Sequence, residues 1–248
     1  WVHKVPHDIW VYKIFQPFLD LKTLSTLGRC NTFFEEYWQY VLKQNVIQVP
    51  EGCPTLNQAM ELAVVFTERN ECTRENPVQV KVGEGIHKIV GDQYGMMDVT
   101  CDHITFVGKG KDHTTILGGF KVANQQRVRF EELTIRNQSG AGLQLQGSET
   151  NVDVLKCVVT DCRGTGMHAC DGVTVTATNC EFLENGRSGV ACGGANTKAR
   201  LNDCTVHHNV HHGLWAQGRA VVDCAVVDLH GTTTDIHSNK RDGIRASG

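Results

Sequence analysis

The sequence predicts an all-β solenoid, a parallel β-helix from about Pro77 to Gly248, preceded by a helical segment (1–48) and by a linker with a capping helix (49–76). Three registers of recurring residues and one change of composition predict it. A glycine followed by an apolar residue returns at Gly142-Leu143, Gly166-Met167, Gly189-Val190, Gly213-Leu214 and Gly243-Ile244, with spacings of 24, 23, 24 and 30 residues. In the second register Asn185, Asn209 and Asn239 each lie four residues ahead of their glycine, and Cys162 takes that place one repeat earlier. The third is Cys157, Cys180, Cys204 and Cys224, flanked by alternating apolar residues such as Val152 and Val154. The composition changes near Pro50, from an aromatic-rich segment to aromatic-poor repeats.

Each repeat holds short β-branched runs, such as Val173-Thr-Val-Thr-Ala, bounded by Gly, Asn and Asp. Runs this short cannot form long strands, but they can coil and stack, each turn pairing its backbone with its neighbours about 4.8 Å away. Equal positions then line up in columns. An inward column must be small or apolar to pack densely, which suits cysteine as a small hydrophobe. Asparagine suits tight corners, where it bonds neighbouring backbone and accepts a left-handed conformation. The interval of 30 is expected to carry a loop insertion.

Ahead of the repeats, Leu56, Ala59, Met60, Ala63 and Val64 follow the helical period, and Thr55 stands three residues before Gln58 as in a capping box. Such a helix is expected to cover the open end of the stack and shield its unpaired edge. Val78-Gln-Val-Lys-Val and Ile104-Thr-Phe-Val read as the first coils. This arrangement, from the helix through Val80-Lys-Val-Gly-Glu-Gly-Ile-His to the Asn and Gly repeats, resembles the right-handed β-helix, or pectin-lyase-like, superfamily over about residues 46–248. The resemblance implies a right-handed coil, in line with the bias of parallel crossovers.

Bulk composition sets the class. With 40% hydrophobic and 21% charged residues the chain can bury a core, and its net charge of −3 supplies no dense positive field for a phosphate backbone. Nucleic acid is not an expected partner. No stretch approaches a membrane span and no secretory leader opens the chain, so an intracellular protein, cytoplasmic or nuclear, is expected. The eleven cysteines then read as reduced thiols rather than a disulfide framework. The start at Trp1 and the stop at Gly248 within a repeat read as those of a fragment.

The first fifty residues carry a different pattern. Val5-Pro6 opens a segment with apolar positions at Ile9, Ile14, Phe15, Phe18, Leu19, Leu24, Leu27, Cys30, Phe33, Phe34 and Trp38, consistent with two or three short helices. These residues resemble an F-box, the helical module that joins a substrate receptor to the Skp adaptor of cullin-RING ubiquitin ligases. Val5-Pro6 stands at its Leu-Pro opening, Asp8-Ile9 follows as in its usual start, Ile14-Phe15 matches its Ile-Phe, Leu19, Leu24 and Leu27 its leucine spacing, Cys30 its valine-cysteine position, and Phe33 or Phe34 its aromatic. Val5 in place of Leu and Pro17 within the first helical stretch depart from the pattern. The resemblance implies that Val5, Pro6, Ile9, Ile14, Leu19, Leu24, Leu27 and Cys30 contact a Skp-type adaptor, and that the β-helix binds a protein substrate of unknown identity.

Few side chains outside that segment suggest chemistry. Asp203 and Asp223 precede aligned cysteines and would point outward one rung apart, near the carboxylate separation of retaining glycosidases, about 5–5.5 Å. A solvated face is the plainer account of both. His207, His208, His211 and His212 are the densest imidazole cluster and candidate metal ligands, against the plainer account of a polar corner. His230 and His237 could stack beside them. No Cys-x-x-Cys pair exists, and the Gly108-Lys-Gly-Lys-Asp run lacks the earlier glycine and the Ser or Thr of a phosphate loop. Asn137-Gln-Ser139 satisfies the glycosylation pattern. The expected function is therefore non-enzymatic protein recognition, without catalytic residue or cofactor, as the substrate receptor of a ubiquitin ligase. The alternative is a carbohydrate-binding or carbohydrate-active β-helix of lyase, hydrolase or epimerase type.

Overall fold

In the computed structural model of the protein the described residues are 45–69, 72–73, 75–218 and 226–247. They form a solenoid of three parallel sheets. The first sheet has eight strands and the second and third have seven each. One coil shows the plan: Asn151–Leu155 lies in the first sheet, Val158–Thr160 in the second and Met167–Cys170 in the third. The chain then re-enters the first sheet at Thr174–Thr178, paired in register with Asn151–Leu155.

Strands of three to five residues alternate buried and solvent-facing side chains, so each sheet contributes inward columns. Val80, Phe106, Phe130, Val154, Ala177 and Leu201 form one such column in the first sheet. Ile116, Ile135, Val159, Phe182 and Val206 line the second sheet. Phe120, Leu143, Met167, Val190 and Leu214 line the third. Three phenylalanines meet in the core: Phe106, Phe120 and Phe130 have ring centroids 4.8–5.3 Å apart. Each such fully buried side chain contributes about 1.5–3 kcal/mol by transfer from water.

The cysteine register lies inside. Leu133, Cys157, Cys180 and Cys204 occupy one buried column, and the nine cysteines of the described residues are free thiols. The next member differs from the expected Cys224, which lies outside the described residues: Asp235 N–H bonds Cys204 O, and Thr234 stands above Cys204. The interval of 30 thus moves the register by a loop, and the pairing resumes ten residues later than the cysteine spacing implied.

The asparagines form a ladder at the corner between the second and third sheets. Asn209 Nδ2 donates to Asn239 Oδ1 at 2.9 Å, and Asn185 Nδ2 donates to Asn209 Oδ1 at 3.0 Å. Each Oδ1 also receives a backbone N–H from the rung before it, including that of Cys162. Asn137, singled out in the sequence only for its glycosylation pattern, belongs to this column and is 2% exposed. The left-handed residue is not the asparagine but the one before it: Asp161, Glu184, His208 and Ser238 have φ of 51–55°. The turn therefore needs two residues, one to bend the backbone and one to bond across the rungs.

At the other end the helix Leu56–Arg69 buries Leu56, Ala59, Met60, Ala63 and Phe66 against the core and packs on the first two strands. Gln58 N–H donates to Thr55 Oγ1 at 3.2 Å, the forward half of a capping box. The return half is absent, since Thr55 Oγ1 bonds Gln58 Oε1 instead. Val46–Val49, assigned from sequence to the end of the helical segment and the linker, is a strand paired in parallel with Val78–Val82. The residues of the F-box resemblance, Val5 to Cys30, lie outside the described residues.

Candidate functional site

Between the first and second sheets the chain turns through left-handed residues, Glu132, Lys156, Asn179 and Asp203, with φ of 49–55°. Lys156 Nζ reaches Glu132 Oε1 at 2.9 Å. The carboxylate of Asp203 accepts Thr233 Oγ1–H at 2.9 Å and Thr233 N–H at 3.1 Å, and these bonds hold its pKa below the usual range. Its neighbour on the next rung is Gly231, where a Cβ would come within 2.2 Å of Asp203 Oδ1. Asp203 thus ties down the inserted loop, and a second carboxylate does not stack on it at that position. Asp223 lies outside the described residues.

The histidines divide into two groups. His207 stacks on His237 with centroids 5.0 Å apart and planes 6° from parallel, and His208 meets both edge-on. His207 Nε2 lies 3.1 Å from Glu181 Oε1, and Lys111 Nζ lies 3.5 Å from Glu181 Oε2. The hydrogen bond from His207 and the Lys111 charge outweigh the effect of partial burial and lower the Glu181 pKa. His211 and His212 follow Asn209 on the way to the third-sheet strand Leu214–Gln217. His212 is 5% exposed, with Nδ1 3.2 Å from Asp242 Oδ2 but outside hydrogen-bond geometry. His230 sits in the first sheet opposite Asn202, away from both groups. Among the described residues no three His, Cys, Asp or Glu side chains converge in a way that could hold a metal ion.

Two of the open grooves among the described residues lie elsewhere, on residues that, Ser139 of the glycosylation pattern aside, no site motif singled out. One, of about 550 Å³, runs along the outer face of the first sheet, where Thr105, Arg129 and Asp153 follow on successive rungs. His103, Gln126, Arg127, Glu149 and Asn151 complete its walls. Arg129 Nε holds Glu131 at 3.1 Å, while Asp153 and Glu149 have no ion-pair partner among the described residues. The second groove, of about 470 Å³, follows the corner into the third sheet and is lined by Tyr94, Ser139, Arg163, His168 and Arg187. Burial pushes the His168 pKa below the usual imidazole value, with Asp171 opposing and Arg187 adding to the shift. The outward column of the third sheet continues this face through Gln144, His168, Ala191 and Trp215.

With this geometry known, the family profile described as the right-handed beta helix region matches residues 87–205 and 113–248 in two overlapping stretches. The chain belongs to the right-handed β-helix family. No curated protein matches its sequence significantly. Among solved structures, it is similar to the A-module of the mannuronan C-5 epimerase AlgE4 of Azotobacter vinelandii, at 14% identity and a TM-score of 0.50, covering 77% of this chain and 68% of that one. It is also similar to the pectin methylesterase PemA of Erwinia chrysanthemi, at 11% identity and a TM-score of 0.42, covering 71% of this chain and 56% of that one. A third similar structure is ORF18 of Geobacillus virus E2, at 11% identity and a TM-score of 0.40, covering 88% of this chain and 64% of that one. The chain therefore spans less than two-thirds of the latter two. The likeness to the AlgE4 A-module, at 14% identity, is one of fold alone. Among the described residues no helix is long and apolar enough to cross a membrane.

Proposed function

We propose that this protein is a non-enzymatic recognition module, an intracellular substrate receptor whose β-helix binds a protein and whose residues Val5 to Cys30 engage a Skp-type adaptor. The observation that carries the recognition half is the exposed corner before the third sheet, where Tyr94, Arg163 and Arg187 share one groove. Arginines and aromatic rings are the side chains that anchor interfaces, and a rigid coil presents them at fixed spacing. The receptor half rests on the F-box resemblance of Val5 to Cys30. In this reading the helix Leu56–Arg69 closes the N-terminal end of the coil, and ubiquitin transfer belongs to other subunits.

The test is co-purification of the full chain with a Skp-type adaptor. Binding that is lost in Pro6→Ala and Leu27→Asp supports the receptor, and no complex with the unaltered chain refutes it.

A second reading is carbohydrate binding or turnover. It is favoured by the groove on the first sheet, where Arg127, Arg129, Glu149 and Asp153 offer both cations and carboxylates to a hydroxylated, acidic chain. One similar structure, the AlgE4 A-module, is by name that of a mannuronan C-5 epimerase. Retention on immobilised polyuronate that is abolished by Arg129→Ala together with Asp153→Ala would establish this reading in place of the first.

A further inference from the structure

We propose that the corner between the second and third sheets is a docking strip for an acidic protein segment, with Arg163, Arg187, Lys240 and Arg241 as its cations and Val210 at its centre. The inference deepens the receptor reading and takes from it only that the partner is a protein. Backbone bonds fix the layout. Arg163, Gly186, Val210 and Lys240 occupy one position on successive rungs, because their N–H groups bond Asn137 O, Cys162 O, Asn185 O and Asn209 O in turn. Gly164, Arg187, His211 and Arg241 occupy the next position, each N–H bonding the carbonyl of the previous member or, for Gly164, that of Gly140. Two adjacent columns, each rising about 4.8 Å per rung, thus place four cations around an aliphatic centre.

Their charge is available. Arg163, Arg187, Lys240 and Arg241 are exposed, and none has an ion-pair partner among the described residues, whereas Arg129, Arg136, Arg200 and Arg245 each have a carboxylate within 3.5 Å. Asp242, the nearest acid in sequence, is shared between His212 and Arg245. Arg241 and Arg187 also help to depress the His211 pKa, after partial desolvation, which places their charges around that ring. Unpaired guanidinium groups favour carboxylates, which they bind in a bidentate fork.

The apolar part selects the class of partner. Val210 is 40% exposed between the cations, and Tyr94 is 55% exposed at the far end of the groove. An isopropyl group offers nothing to a uronate hydroxyl or carboxylate but packs against an apolar side chain. A peptide with alternating acidic and apolar residues supplies both, on an extended backbone.

The experiment is fluorescence anisotropy of a labelled, extended peptide of alternating Glu and Leu with the full chain. Expected are saturable, salt-sensitive binding, weakening of about tenfold or more in Arg187→Glu with Arg241→Glu, and a smaller loss in Val210→Ser. Lys198→Glu, on the first sheet, should leave binding unchanged, and thermal melting identifies any variant that has lost its fold. No binding, or binding indifferent to Arg187 and Arg241, overturns the strip. Tighter binding of polygalacturonate, insensitive to Val210→Ser, overturns it in favour of a carbohydrate. Adaptor co-purification is read in parallel: an intact adaptor complex without peptide binding removes the strip alone, and peptide binding without an adaptor complex supports the strip while removing the receptor reading.

Discussion

Single residues in this chain answer to the rung above and below. Asn209 is fully buried and makes hydrogen bonds in both directions: Nδ2 to Phe182 O at 3.0 Å and to Asn239 Oδ1, and Oδ1 from the N–H and Nδ2 of Asn185. Asn209→Ala strands the Asn185 N–H in the interior, and a buried unsatisfied donor costs about 1–3 kcal/mol in addition to the lost bonds. Denaturant melts should register a loss of about 3 kcal/mol. The cysteines make the opposite case, since burial pushes the thiols of Cys157, Cys162 and Cys192 up to about 12. The thiolate is the reactive form, so these three should resist a thiol reagent at pH 8 in the folded protein and react once it is unfolded. Reactivity of the native protein that follows an ordinary thiol titration near pH 8.5 at these sites would contradict their burial.

At the scale of the element, the corners decide what the strands can do. Gly189 precedes a strand of the third sheet where a Cβ would come 2.4 Å from Val206 Cγ1 and 2.8 Å from Asn209 Nδ2. Gly189→Ala therefore crowds an inward valine and a ladder amide together, and overpacking of this kind costs about 1–3 kcal/mol. A melting temperature equal to that of the unaltered protein would show that the corner can yield. The periodic glycines and asparagines were legible in the sequence because each must sit at a fixed place in the coil. The left-handed residues before them were not, since Asp161, Glu184, His208 and Ser238 share no side-chain chemistry, only a backbone angle. The strand Val46–Val49 was equally hidden: four residues give too little alternation to be told from a helix end, and their pairing with Val78–Val82 is a long-range contact.

The molecule as a whole is a stack in which each coil touches mainly its neighbours, so stability is close to a sum of local terms. Damage should stay local. Amide exchange in Asn209→Ala is expected to quicken on the rungs of Asn185 and Asn239 and to remain unchanged at Val78–Val82. Uniform acceleration along the chain would mean that the coil opens as one unit.

By itself the sequence determined that the chain coils and, as far as Cys204, how long each turn is and which residues of the repeats point inward. Those requirements recur every turn, and interior volume and backbone bonding restrict each recurring place to a few residue types. What only the tertiary structure decided is which outward residues are neighbours. The inserted loop set Gly231 rather than Asp223 against Asp203, the asparagine corner parted His207 and His208 from His211 and His212, and the backbone ladder gathered Arg163, Arg187 and Arg241 around Val210. Solvent accepts almost any polar side chain on an outer face, so no pattern marks those positions until the register of the coils is known.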